Sequence, residues 1–164
     1  RAIVDTANYF KTNLSIVKSV IKSNDQRKLL LTKRIEKILK GKIKNKNITF
    51  LGVTFKPNTD DMREASSLYM IPALIKKGAK IRYFDPTGDK KEFKHLKNVT
   101  SCKNISSACY RSDLIVIHTE WNEFKLLNFK KVVKKNNFII YDLRNIYSPI
   151  KMHKNKIKYF GIGR

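Results

Sequence analysis

Apolar positions along the chain change their spacing several times, and each change marks an element. Ile3, Ala7 and Phe10 recur at helical intervals, so residues 1–12 read as the end of a helix with one apolar stripe. Asn13 or Ser15 is placed to cap a second helix. Its apolar positions begin at Ile16, Val17, Val20 and Ile21. They resume after the polar SNDQRK at Leu30, Leu31, Ile35, Ile38 and Leu39, and Gly41 is a natural stop. Unbroken, such a helix is roughly 35–40 Å long. One small domain does not bury that length, so the apolar face calls for a further domain or a second copy of the chain. The alternative is a break near Ser23–Asp25 that folds the segment into a hairpin.

Beyond the basic linker GKIKNKN the apolar runs shorten. Ile48, Phe50, Leu51 and Val53 predict a buried strand over 48–53. Leu68, Ile71, Leu74 and Ile75 predict a helix ending at Gly78. Ser66 and Ser67 are available to cap it, and Pro72 is expected to kink it or delay its start. Ala79, Ile81 and Tyr83 alternate with Lys80 and Arg82, which predicts a strand at 79–84 closed by Asp85-Pro86. Val99 marks a short edge strand, and Asn104 opens a short helix with Ile105, Ala108 and Cys109 inward. The run LIVI at 114–117 reads as a central buried strand. A helix around 128–134, a strand at 138–141 and a last strand in KIKYFGIGR complete the order.

Strands alternate with helices, and the central strands are continuously apolar. This predicts an α/β fold, a long N-terminal helix followed by a Rossmann-like parallel sheet covered on both faces. In such a sheet the polar stretches 54–63, 118–123 and 142–145 all fall at the carboxyl ends of strands, where open α/β sheets bind ligands.

The charge changes this picture less than its size suggests. Lys and Arg number 36 against 13 Asp and Glu, a formal net charge of +23. The cations are dispersed, densest in KGKIKNKN and KKVVKK, as in proteins from A- and T-rich genomes. No RNP-type aromatic motif, zinc finger or basic zipper accompanies them, so nucleic acid is not the expected partner. Such a field still favours anionic ligands and salt-sensitive binding to polyanions. Cys102 and Cys109 are not spaced for a metal or a CxxC pair, which fits two reduced thiols in a cytoplasmic protein. No run of about 18 apolar residues suggests a membrane span.

The loop after the first strand holds the candidate chemistry. Lys56 is placed to neutralise a phosphate or bond a sugar hydroxyl, and Arg63 offers a fork of donors suited to a pyrophosphate. The alternative is that Asp61 and Arg63 only tie the loop together. Trp121 reads as a cover for the sheet edge. His118 is as readily a strand-end hydrogen-bonding group as a catalytic one. GVTFKP lacks the GxGxxG turn that cradles a dinucleotide, so a Rossmann-like topology here does not by itself make a main NAD site.

FKPNTDDMREAS, together with YFDP, TEW, DLRN and the closing FGIGR, resembles the last domain of the UDP-glucose/GDP-mannose dehydrogenase family. The resemblance implies that residues 46–164 are a C-terminal UDP-binding domain and that 1–40 are part of a central helical segment, with a homodimer formed through 14–40. It implies that Lys56, Phe55 and Arg144 contact a nucleotide-sugar such as UDP-glucose, and that Arg63 contacts NAD held mainly elsewhere. Family members carry their catalytic cysteine in a motif ending CFPKDT, followed by RALI or similar. This chain begins RAIV, so it is expected to start just past that motif and to be inactive alone. No catalytic residue or metal ligand is assigned in it. A non-enzymatic dimerisation module and a polyanion-binding domain are the competing readings.

Overall fold

A computed structural model of the protein describes residues 2–163. Two helices, α1 (Ala2–Tyr9) and α2 (Ser15–Ile38), precede six strands and four further helices: β1 (Asn47–Leu51), α3 (Ser67–Lys76), β2 (Lys80–Phe84), β3 (Val99–Ser101), α4 (Ile105–Cys109), β4 (Leu114–Ile117), α5 (Phe129–Val133), β5 (Ile139–Asp142), α6 (Pro149–Lys154) and β6 (Lys158–Gly161). The strands form one sheet in the order β3-β2-β1-β4-β5-β6, and every neighbouring pair is parallel. The α/β expectation holds, and so does the placement of the three polar stretches at the carboxyl ends of β1, β4 and β5.

The continuous apolar strands are divided between two layers by their two-residue period. Ile48, Phe50, Leu114, Val116 and Tyr141 face α2 and α3, packing with Ile35, Ile38, Met70 and Leu74. Leu51, Ile115, Ile117 and Ile140 face the other way, onto Cys109, Phe124, Phe129, Val133 and Met152. A strand buried on both sides gains nothing from polar alternation, so β4 reads LIVI.

Helix α2 is unbroken over its 24 residues, about 36 Å at 1.5 Å per residue. The hairpin alternative is not formed, because SNDQRK is polar without being helix-breaking. Only the second half of α2 joins the core, through Ile35, Ile38 and the half-buried Leu31. In the first half Ile16 and Val20 are exposed, as are Ile3 and Tyr9 of α1 and Phe10 just beyond it.

Three local expectations are corrected. Strand β1 ends at Leu51 rather than 53, since Gly52 takes φ +72 and turns the chain out of the sheet. Helix α3 starts at Ser67 despite Pro72 and is not capped by a serine side chain. Finally, α6 has no counterpart in the apolar periodicity. Its signal is Ser148-Pro149, a capping hydroxyl that accepts the Lys151 N–H and a proline at the first turn.

Candidate functional site

The order of strands reverses between β1 and β4, and the chain leaves these neighbours toward opposite faces of the sheet. That switch opens a crevice at their carboxyl ends. Helix α2 passes over it and closes a cleft of ≈ 570 Å³, lined by Asn24, Arg27 and Lys28 from α2, Phe55 and Lys56 after β1, His118 after β4, and Arg144 after β5. The volume is in the range of small-molecule sites.

The loop after β1 is held from beneath. Asp85, at the end of β2, accepts the Val53 N–H (2.8 Å), the Thr54 N–H (3.4 Å) and the Thr54 hydroxyl (3.4 Å) on one oxygen. Its other oxygen accepts the Thr87 N–H (3.1 Å) and hydroxyl (2.6 Å). Lys90 Nζ lies 3.6 Å away, its side chain only 5% exposed. Phe55 and Lys56 are thereby presented on the rim while Val53 and Thr54 stay buried. No ion pair or hydrogen bond occupies the Lys56 ammonium among the described residues, so it is available to a ligand.

His118 forms the cleft floor. The Thr119 hydroxyl donates to the Thr54 carbonyl at 2.8 Å, so its oxygen accepts from His118 Nδ1–H at 3.0 Å. Nε2 is then the acceptor for the Ser67 N–H (3.1 Å) and the Ser66 hydroxyl (2.8 Å). The imidazole therefore caps α3, a long-range partner that helix-start rules based on the nearby Ser66 and Ser67 do not see. Both ring nitrogens of His118 are thus engaged in strand-end hydrogen bonds. Burial pushes the imidazole down to about 3, with the Arg144 charge adding to the effect and Asp85 opposing it.

This has a measurable consequence. The folded pKa lies below the ordinary 6.5, so the unfolded chain takes up a proton that the folded chain refuses. Stability is then full above about pH 6.5 and falls as pH drops toward 3, by at most about 1.4 kcal/mol per pH unit. A loss of about 2 kcal/mol between pH 7 and pH 5 is expected in urea melts, and His118→Gln should flatten it. His95 and His153 are exposed, and the depressed carboxylates of Asp89 and Asp113 start from 3.8, below this window. An unchanged slope in His118→Gln refutes the assignment.

Arg144 spans the cleft's far side. Its Nε–H donates to the His118 carbonyl (2.8 Å) and Nη2–H to the Phe55 carbonyl (3.1 Å), which locks the β1, β4 and β5 loops together. Glu120 Oε2 lies 2.9 Å from the same Nε as an ion pair but takes no hydrogen bond, since that hydrogen is directed at the carbonyl. Arg144 is thus both structural and cleft-lining. The β5 loop itself turns around buried Asp142, which accepts the N–H groups of Arg144 (2.9 Å) and Tyr147 (3.1 Å) and the Tyr159 hydroxyl (2.9 Å).

Arg63 is not brought to the cleft. Its side chain is 89% exposed and forms a fork with Asp61, Nε to Oδ1 at 3.0 Å and Nη2 to Oδ2 at 2.9 Å. That hydrogen bonding holds the Asp61 carboxyl down at about 2. Trp121 is buried in the lower layer, more deeply than a sheet-edge cover requires. Neither cysteine reaches the cleft: Cys109 is in the core with its thiol pushed up to about 12 by burial, and Cys102 is half-buried and also raised. The sequence reading missed Lys28, Arg27 and Asn24, which enter from α2. The apolar stripe of α2 gave no reason to assign its polar flank to a ligand.

Residues 49–149, more than half the chain, match the UDP-glucose/GDP-mannose dehydrogenase family, UDP binding domain. The chain belongs to this dehydrogenase family. UDP-glucose 6-dehydrogenase of Rhizobium meliloti is 34% identical over 164 residues, covering 99% of this chain and 38% of the relative. That of Rickettsia felis is 40% identical over 152 residues, 90% and 34% respectively. The chain therefore spans little more than a third of the length of these relatives. Among solved structures, a UDP-glucose dehydrogenase from Pyrobaculum islandicum superposes with a TM-score of 0.72 at 23% identity, over 86% of this chain and 31% of that one. The GDP-mannose dehydrogenase of Pseudomonas aeruginosa gives 0.68 at 21%, over 99% and 37%. At such identities these two likenesses speak for the fold alone.

A resident dinucleotide does not fit the first strand-to-helix turn of this family member. Dinucleotide sites leave room beside a glycine and place pyrophosphate on free helix N–H groups. Here the space beside Gly52 is filled by Thr119, whose Cβ is 2.5 Å from where a Cβ on Gly52 would lie. The α3 N-terminus is taken by His118.

Proposed function

We propose that this chain is the UDP-sugar-binding part of an NAD-dependent UDP-glucose 6-dehydrogenase, which oxidises the C6 alcohol of UDP-glucose to the carboxylate of UDP-glucuronate. The observation that carries the reading is the cleft at the β1/β4 switch, where Phe55, Lys56 and Arg144 meet under α2 in a member of this family. Lys56 neutralises the diphosphate or bonds a sugar hydroxyl, Phe55 packs beside the ligand, and Arg144 lies near the uridine diphosphate. Arg63, free to swing on the rim once it leaves Asp61, contacts NAD bound outside these residues. Residues 46–164 act as the UDP-binding domain and 1–40 as a helical segment that dimerises through 14–40, in keeping with the exposed Ile16 and Val20. A cytoplasmic site of action suits nucleotide-sugar chemistry. Among the described residues no helix is long and apolar enough to cross a membrane.

UDP-glucuronate titrated calorimetrically into the chain is expected to bind. Lys56→Ala should weaken it about 10–100-fold, the worth of a charge-assisted hydrogen bond of about 1.5–3 kcal/mol. The same chain mixed with UDP-glucose and NAD is expected to form no NADH, because Cys102 and Cys109 lie away from the cleft. Binding indifferent to Lys56 but abolished by salt would favour a polyanion-binding domain instead. NADH formation by the purified chain would overturn the expectation of inactivity.

A further inference from the structure

A second groove runs along α2 past the nucleotide-sugar cleft. Its walls are Arg27, Lys33, Arg34 and Lys37 of α2 on one side and the β6 end, Gly161 to Gly163, on the other. Tyr141 of β5 forms the floor, and the volume is ≈ 550 Å³. The four cations share one broad side of the helix, because steps of six, one and three residues keep them within about 120° of one another. No carboxylate lines the groove among the described residues. Glu36, the acid closest in sequence, is turned to the opposite flank, where it pairs with Lys77 of α3. Among the described residues no carboxylate offsets the positive charge in the groove.

The floor supplies an independent observation. Tyr141 is 1% exposed, yet its hydroxyl meets no hydrogen-bond partner among the described residues. The Arg34 and Arg27 guanidinium groups are the charges that act on it. The ring is buried but Tyr141 lines the groove, so an acceptor oxygen entering between these guanidiniums would meet the hydroxyl. The facing wall leaves room: Gly163 carries no side chain, and a Cβ there would meet nothing within 4 Å. The distance from Arg27 to Lys37 along the helix is about 15 Å. That spread suits several linked phosphates better than one.

We propose that this groove is a second anion site, which takes a compound bearing a di- or triphosphate group. Arg27, Arg34 and Lys37 hold the phosphates, and the Tyr141 hydroxyl donates from the floor. The site is separate from the cleft of Lys56, with which it shares only Arg27, Leu31 and Ile162 along its border.

Inorganic triphosphate, titrated calorimetrically into the full chain at fixed ionic strength, tests this. Arg34→Gln with Lys37→Gln is expected to weaken binding at least tenfold, and Tyr141→Phe, which keeps the ring, at least threefold. Lys130→Gln with Lys131→Gln, which removes the same charge from α5 on the opposite face of the sheet, should stay within twofold. All the substituted cations are exposed, so thermal melts should match the parent. Equal losses in the α5 pair would show a diffuse field and overturn the proposal. A loss confined to Lys56→Ala would place the anion in the first cleft, and undetectable binding to the parent chain would also refute the site.

Discussion

Asp85→Ala is expected to lower stability by about 3–5 kcal/mol, the cost of breaking a buried ion pair from one side, and to abolish binding at the cleft. The carboxylate is the meeting point of two turns. It holds the backbone of Val53 and Thr54 after β1 and that of Thr87 after β2, and it faces the nearly buried Lys90. Removing it strands three N–H groups and an ammonium in a dry site, while the loop carrying Phe55 and Lys56 loses its anchor. An entire domain is stable by only about 5–15 kcal/mol, so the expected loss is a large fraction of the total. Urea midpoints measure it directly. Asp85→Asn keeps the shape but turns an NH2 toward donors, so it should fall between parent and alanine. Adding Lys90→Met to Asp85→Ala should recover part of the loss, because the uncompensated ammonium is then gone. A shift of under 1 kcal/mol in Asp85→Ala would show that water reaches these groups and that the loop is held by other means.

The sheet was legible because its strands are short apolar runs between turn residues, and a strand buried on both faces leaves no other way to read LIVI or FIIY. The carboxyl edge followed from topology, since parallel strands put the three polar stretches on one side. What escaped prediction was set at long range. Nothing near Ser66 indicates that α3 is capped by an imidazole 51 residues away from Ser67. The same holds for Asp85, which looked like the end of a strand in YFDP and proved to be the anchor of another strand's loop. The α2 side of the cleft was hidden for a different reason. Lysine and arginine are so abundant in this chain that Arg27 and Lys28 carry no signal until the helix is seen to cross the sheet edge. Lys28 in fact ties α2 down, reaching Glu64 at 2.6 Å and the Tyr69 ring at 4.4 Å. Arg63 illustrates the opposite limit: its motif is recognisable, but its fork is closed on Asp61, two residues before it, which residue types alone leave open.

Gly52→Ala is expected to destabilise the chain by about 2–5 kcal/mol through two separable effects. The first is conformational. Gly52 takes φ +72, and an L side chain in the left-handed region costs roughly 1–2 kcal/mol. The second is a collision. The new Cβ would lie 2.5 Å from Thr119 Cβ, 2.9 Å from its Oγ1 and 3.1 Å from its Cα, and overpacking of this kind costs about 1–3 kcal/mol. Thr119 cannot retreat cheaply, because its hydroxyl is committed to the Thr54 carbonyl and to His118. Moving it would loosen the α3 cap and the cleft floor together. Gly88→Ala separates the effects: Gly88 has φ +83 with nothing within 4 Å of a Cβ, so it pays the backbone term alone. Urea melts of the two variants should differ by the collision energy, with Gly52→Ala the weaker, and the same variant should lose UDP-glucuronate binding. Equal midpoints would mean that β1 and β4 can part at their carboxyl ends without cost. The close approach at Gly52 would then not be what shapes the crevice.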